Sequence, residues 1–200
     1  MEHEHYLRHN NDPRDPGYRR FLARLAQPLL QRLAPGSRGL DYGCGPGPAL
    51  AAMLGEEGHR VALYDPFFYP DPAPLAESYD FITCSEAAEH FHQPAAEFRR
   101  LAAMLRPGAW LALMTCFQTD DHAFPAWHYH RDPTHVVFYR EFTFRFIAAV
   151  HGLACEIPRK DVVLLRAPTN MVNVQQHRTL QRSARLTYGS TLCRSACRNL

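Results

Sequence analysis

No apolar run in this chain approaches the roughly 18 residues of a membrane-spanning helix, so a bilayer is not expected among its partners. Neither sign of charge dominates: the net charge is +2 over 200 residues, which implies no dominant acidic partner for the chain as a whole. Cysteine pairs at metal or redox spacing are missing too. The six cysteines (44, 84, 116, 155, 193 and 197) are scattered, and Cys193 and Cys197 stand four apart rather than as C-x-x-C. That pattern reads as small buried hydrophobes in a reducing compartment, not as a disulfide framework. Met1-Glu-His-Glu-His-Tyr6 lacks the apolar core of a secretory leader, and a cytoplasmic location is expected. No internal repeat is visible. With 46% hydrophobic and 12% aromatic residues, the chain has enough material for the core of one domain with short additions.

The stretch Arg38–Leu50 organises the rest. A short apolar approach through Leu40 leads to Asp41 at the end of an expected strand, and Gly43-Cys44-Gly45-Pro46-Gly47 follows. Alternate glycines after a strand let the chain turn sharply and let a ligand approach the main chain. Ala49-Leu50-Ala51-Ala52-Met53-Leu54 then favours a helix, with Pro48 tolerated in its first turn. Two familiar loops are excluded. No Gly-Lys-Ser/Thr follows, so this is not a P-loop, and Pro48 takes the place of the third glycine of a dinucleotide fingerprint. Arg60–Tyr64 forms a second strand ending at Asp65. An acid about 20 residues past a glycine loop is placed to accept hydrogen bonds from ribose hydroxyls.

Leu40-Asp41-Tyr42-Gly43-Cys44-Gly45-Pro46-Gly47 resembles motif I of the class I S-adenosylmethionine-dependent methyltransferases. Tyr79-Asp80-Phe81-Ile82, then Glu86-x-x-Glu89-His90, and the Leu105-Arg-Pro-Gly108 turn also resemble methyltransferase sequence, so the likeness spans 38–117. It implies an α/β, Rossmann-like fold: a mostly parallel central sheet with an antiparallel C-terminal hairpin strand and helices on both faces. It also implies S-adenosyl-L-methionine as cofactor, with the glycine loop around its methionine and ribose. The cofactor-contacting set is then Asp41, Gly43, Cys44, Gly45, Gly47, Asp65, Pro66 and Ser85. One departure stands out. Pro66, Pro70, Pro72 and Pro74 follow Asp65 where relatives place a helix and a third strand, and prolines suit neither. That strand is expected to be vestigial or missing, with Asp71, Phe67 or Phe68 as substitutes for the usual adenine contacts.

Around this core, residues 1–17 are polar, with His3, His5 and His9, and Tyr18–Leu33 reads as an amphipathic helix that Pro28 should kink or split. Residues 37–169 form the expected methyltransferase domain after an N-terminal segment 1–36. Within it, Tyr79–Cys84 reads as a strand, Ser85 opens a helix continuing to Leu105, and Ala109–Cys116 is the longest strand candidate. Residues 118–141, rich in His and aromatics, make a long connection expected to serve as an acceptor lid. Glu141–Val150 reads as a helix stopped by Gly152, and 161–165 as a strand paired with Leu153–Ile157. Arg178, Arg182, Arg185, Arg194 and Arg198, with no acid between 175 and 200, put +5 on the tail 170–200 and leave about −3 for the remainder.

The chemistry centres on Glu86, Glu89 and His90. At i, i+3 and i+4 of a helix start they would share one face and could hold a divalent cation. The blander readings are macrodipole stabilisation, a Thr83–Glu86 capping box and His90 as a plain general base. Ubiquinone-pathway O-methyltransferases and small-RNA 2′-O-methyltransferases carry a similar Glu-x-x-Glu-His. In the RNA enzymes a later His completes a metal site, which here best matches His135, with His128 second. The catalytic candidates are thus His90, His135, His128 and Glu86, and the metal candidates, for Mg2+ or Zn2+, are Glu86, Glu89, His90 and His135. The expected function is methyl transfer to oxygen of a small molecule. RNA methylation is a rival that only the arginine tail supports. A non-catalytic cofactor-binding protein is another, opposed by the intact Glu/His set; a nicotinamide oxidoreductase is opposed by Pro48.

Overall fold

A computed structural model of the protein describes residues 12–122 and 124–169. Ten regular elements position the site. They run α1 (Pro16–Leu30), β1 (Arg38–Tyr42), α2 (Ala49–Glu56), β2 (Arg60–Tyr64), β3 (Tyr79–Ser85), α3 (Pro94–Ala103), β4 (Leu105–Met114), α4 (Glu141–His151), β5 (Ala154–Arg159) and β6 (Val162–Arg166). The six strands make one sheet in the order β2-β1-β3-β4-β6-β5. β2, β1, β3 and β4 are mutually parallel, and β6 joins β4 antiparallel with β5 as its hairpin partner. This is a Rossmann-like sheet with an antiparallel hairpin at one edge.

The period-two alternation of the strands divides the core in two. Ile82 and Cys84 of β3, Leu111 and Leu113 of β4, and Val163 and Leu165 of β6 face α3 and α4 through Phe98, Leu101, Phe144 and Ala148. Phe81, Trp110, Ala112, Met114, Val162 and Leu164 face the other way, onto Leu22, Leu25 and Leu29 of α1 and Leu50 and Leu54 of α2. Gly39 of β1 lies opposite Phe81 of β3. A methyl group on Gly39 would sit 2.1 Å from the Phe81 ring, so glycine is what lets that aromatic fill the layer.

The proline-rich stretch behaves as its composition requires. Among the described residues no strand lies between β2 and β3; Asp65 and Tyr69 form a single antiparallel bridge, and one 3-10 turn covers Ala73–Ala76. β2 is therefore an edge strand. Pro158 sits in β5, the opposite edge, beside a register shift between Glu156 and Arg159, where a missing backbone donor costs no ladder bond.

Several local expectations are corrected. α1 starts earlier than the apolar spacing suggests: Asp15 caps it by accepting from the Tyr18 N–H at 2.6 Å, with Pro16 in its first turn. Pro28 does not split it, because the helix ends only two residues later at Leu30. Pro48 precedes α2 as its N-cap rather than lying within its first turn. The largest correction lies after β3. The helix expected from Ser85 to Leu105 does not exist as one piece: Ser85 ends the strand, Glu86 takes a left-handed φ of 48°, a short 3-10 turn covers Ala88–His90, and the α-helix begins only at Pro94. Glu86, Glu89 and His90 thus have no common helical face. Nor does a Thr83–Glu86 capping box form, since the Thr83 hydroxyl donates to Asp41. The histidines 3, 5 and 9 and the arginine-bearing tail from 170 lie outside the described residues.

Candidate active site

The C-terminal ends of β1, β2, β3 and β4 carry the site, as open parallel sheets generally arrange their ligands. After β1 the backbone turns through Gly43 (φ 74°) and Gly45 (φ 66°). The Gly43 N–H donates to the Tyr64 carbonyl at 2.8 Å, which ties the loop to the end of β2. The Gly47 carbonyl accepts from Ala49 N–H at 2.7 Å, leading the chain into α2. The Asp65 carboxylate braces the loop from the neighbouring strand. One oxygen accepts from Gly45 N–H at 3.0 Å and the other from Phe67 and Phe68 N–H at 2.9 and 3.1 Å. Three donors leave about one of the roughly four acceptor directions of a carboxylate. Pro66 beside it is exposed, and Cys44 is buried, with its thiol pushed up by burial and so held as the neutral thiol rather than a nucleophile.

Asp41 lies beneath the loop. Its buried carboxylate accepts from the Thr83 hydroxyl at 2.7 Å and from the Ala51 N–H in the first turn of α2. Burial, with the nearby Asp65 charge adding to it, pushes its pKa up to about 6 from 3.8. The sign follows: folding favours the protonated form, so the ionised carboxylate costs stability above pH 6, and the cost disappears as pH falls towards 4. At about 1.4 kcal/mol per unit this amounts to up to about 3 kcal/mol. Between pH 4 and pH 7 the wild-type chain is expected to lose that much stability relative to Asp41→Asn, whatever constant offset the amide introduces. Denaturant titrations across that range check it; parallel curves would refute it.

Tyr18, at the start of α1, has its phenol pushed up to about 12, chiefly by burial and then by the charges of Asp41 and Glu86.

Past β3, the Glu86 N–H donates to the Met114 carbonyl at 2.8 Å, holding the turn to the end of β4. Ser85, before it, has a buried hydroxyl with no partner among the described residues. The long connection 118–141 then docks on this turn through its backbone: Val136 and Val137 N–H donate to the Glu89 carbonyl at 2.9 and 3.0 Å. That docking brings His135 beside His90, their ring centroids 4.8 Å apart. His90 Nδ1 donates to the Thr134 carbonyl at 2.9 Å and His135 Nδ1 to the Tyr129 carbonyl at 2.7 Å. A carbonyl only accepts, so each ring carries its proton on Nδ1, and in the neutral ring the lone pair is on Nε2.

Glu89 completes the cluster. It is fully buried; Tyr129 Oη donates to its Oε1, and its Oε2 has no hydrogen-bond partner among the described residues. One ligand atom each from Glu89, His90 and His135 lies within 4.8 Å of the others. Glu86 is not in this group; its carboxylate lies 3.3 Å from the Tyr129 hydroxyl instead. Burial raises the pKa of both glutamates, and the Glu89 charge raises that of Glu86 further. His128 is exposed and stands outside the group. Thr115, which sequence reasoning gave no role, and Tyr129, which it placed only within the acceptor-contacting stretch Trp127–His135, are hydrogen-bonded at its centre, 3.0 Å apart. The available signal was a tyrosine inside a histidine-rich run: a buried phenol needs a partner.

The glycine loop and the acidic turn touch. A methyl group on Gly43 would sit 2.6 Å from the Ala87 Cβ, so the Glu89/His90/His135 cluster adjoins the loop. A family model for the methyltransferase domain matches residues 15–156. The chain belongs to that methyltransferase family. Solved structures agree on the fold. An O-methyltransferase family protein from Burkholderia thailandensis superposes with a TM-score of 0.57 at 16% identity, covering 76% of this chain and 56% of that one. The same organism's 1,6-didemethyltoxoflavin N1-methyltransferase, bound to 1,6-didemethyltoxoflavin and S-adenosylhomocysteine, gives 0.54 at 19% over 74% of this chain and 78% of its own. A methyltransferase dependent on S-adenosylmethionine from Archaeoglobus fulgidus gives 0.53 at 21%, over 68% and 69%. This methyltransferase-family chain thus spans little more than half the length of the first of these. No curated protein matches it in sequence. Among the described residues no helix is long and apolar enough to cross a membrane.

Proposed function

We propose that this protein transfers the methyl group of S-adenosylmethionine to an oxygen of a small molecule, with a divalent cation held by Glu89, His90 and His135. The observation that carries the cation is the buried, unpartnered Glu89 Oε2 beside two imidazoles whose Nδ1 atoms donate to backbone carbonyls. That is the second-layer pattern which orients metal-binding histidines. Two nitrogens and one carboxylate suit Zn2+ or a similar first-row ion better than Mg2+, which prefers oxygen. When bound, such a cation would lower the pKa of an acceptor hydroxyl and orient it.

The chain's own residues do the rest. The loop 43–47 would hold the methionine end of the cofactor, and Asp65 would offer its remaining acceptor direction to the ribose. Transfer is an in-line displacement: the acceptor oxygen forms a bond to the methyl carbon as the sulfur–carbon bond breaks, leaving neutral S-adenosylhomocysteine. Positioning supplies most of the rate. The proton of the acceptor hydroxyl passes to Glu86, whose carboxylate stands outside the cation group. The connection 118–141 closes the acceptor side. A small molecule is the acceptor favoured because a relative of the same fold holds one beside S-adenosylhomocysteine.

An isothermal titration with S-adenosylhomocysteine is expected to show micromolar binding, and no binding at all would overturn the enzymatic reading. Glu86→Gln is expected to keep that affinity while lowering kcat by about 10²-fold or more, the usual contribution of a positioned base. Unchanged kcat in a hydroxyl-acceptor assay would remove Glu86 from the mechanism.

A further inference from the structure

We infer that Tyr129 is a positioning residue for the cation site proposed above, holding two of its three ligands at once. The inference rests on that reading. Tyr129 lies on the 3-10 turn His128–Arg131 and is 8% exposed. Its hydroxyl donates to Glu89 Oε1, and its backbone carbonyl accepts the Nδ1 proton of His135. The first bond engages one carboxylate oxygen, so that Oε2 is the atom left for a cation. The second fixes the His135 tautomer. Packing holds the residue in place: its ring centroid is 4.1 Å from that of His135 and 5.2 Å from that of Trp127.

Proton counting makes the arrangement directional. A phenol has one proton, so donation to Glu89 obliges the Thr115 hydroxyl, 3.0 Å away, to donate to the phenol oxygen. Thr115 is fully buried, and its N–H is tied to the Asp161 carbonyl at 3.1 Å. The chain from Thr115 through Tyr129 to Glu89 therefore starts from a fixed point beside the sheet. A tyrosine serving only to fill space would need its ring but not its hydroxyl.

The test uses the full chain stripped with EDTA and titrated with Co2+ as an optical probe, beside calorimetry with S-adenosylhomocysteine. Tyr129→Phe keeps the ring and the carbonyl. It is expected to lower Co2+ affinity by about 10- to 100-fold, the range for removing an outer-layer partner. The visible Co2+ bands should shift, and S-adenosylhomocysteine affinity should stay unchanged. Thr115→Val, which removes only the hydroxyl that orients the phenol, is expected to move the bands in the same direction with a smaller loss. If the wild-type chain binds Co2+ and both variants match it in affinity and spectrum, this inference falls while the cation site stands. If the wild-type chain gives no Co2+ spectrum, both fall.

Discussion

Gly43→Ala is expected to weaken S-adenosylhomocysteine binding by about 100-fold. Two costs combine. A side chain at φ 74° is strained by roughly 1–2 kcal/mol. The new methyl carbon would also lie 2.6 Å from the Ala87 Cβ, a separation that real side chains do not tolerate. Relief requires moving either the glycine loop or the turn that carries Glu86, Glu89 and His90, and each movement spoils part of the site. Together about 3 kcal/mol of misplacement corresponds to the stated loss, at 1.4 kcal/mol per factor of ten. Gly58→Ala is the control. It carries the same kind of strain at φ 85°, but an added methyl would meet nothing within 4 Å. It is expected to cost about 1 kcal/mol of stability and no affinity. Calorimetry and thermal melts on both variants check the pair; equal affinities would mean that the loop does not touch the ligand.

The contrast between these two glycines also marks what the sequence made legible. That the Gly43 loop follows a strand and precedes a helix is written in local residue choice, because alternating glycines and the alanine-rich run each favour one local structure. The missing third strand was legible for the same reason, since four prolines in nine residues forbid a central strand wherever they fall. The alternating faces of β3, β4 and β6 follow directly from period two. What failed was Ser85–His92. Glu-Ala-Ala-Glu-His has good helix propensity, yet Glu86 sits in the left-handed region and the Met114 carbonyl takes its N–H. A tertiary bond to a strand almost thirty residues away overrides local preference there, and local preference was all the sequence offered.

The same distinction explains the site. His135 could be placed near Glu89 and His90 only by resemblance, because the geometry that joins them is a backbone contact of Val136 and Val137 with the Glu89 carbonyl. Backbone contacts leave little trace in side-chain identity. Tyr129 was legible only as one member of the stretch Trp127–His135, because its individual role depends on where three other side chains point. His128, one position earlier, looked as good in sequence and is exposed; a single-residue step along the turn decides which side chain enters the site.

Glu89→Gln is expected to abolish metal-dependent turnover, by about 10³-fold, at the upper end for removing one electrostatic stabiliser from an active site. The substitution keeps shape and keeps an oxygen for the Tyr129 hydroxyl, so what it removes is charge. A fully buried carboxylate with one oxygen left without a hydrogen-bond partner among the described residues is a poor stabilising device, because the desolvation of that oxygen is not repaid. A residue retained for the fold would cost stability when neutralised. One retained for a cation would not, and the melting temperature of the EDTA-stripped variant is therefore expected to stay level or rise. Wild-type turnover should fall with EDTA and return with Zn2+ or Mn2+, whereas the variant should respond to neither. Full wild-type activity in EDTA would defeat the cation reading, and His90 would then be left as a simple base, its Nδ1 proton held by the Thr134 carbonyl. The two mechanisms thus predict opposite metal dependence from the same side chains, and the buried Glu89 carboxyl with its unpartnered Oε2 is what favours the first: a general base at His90 has no need of it.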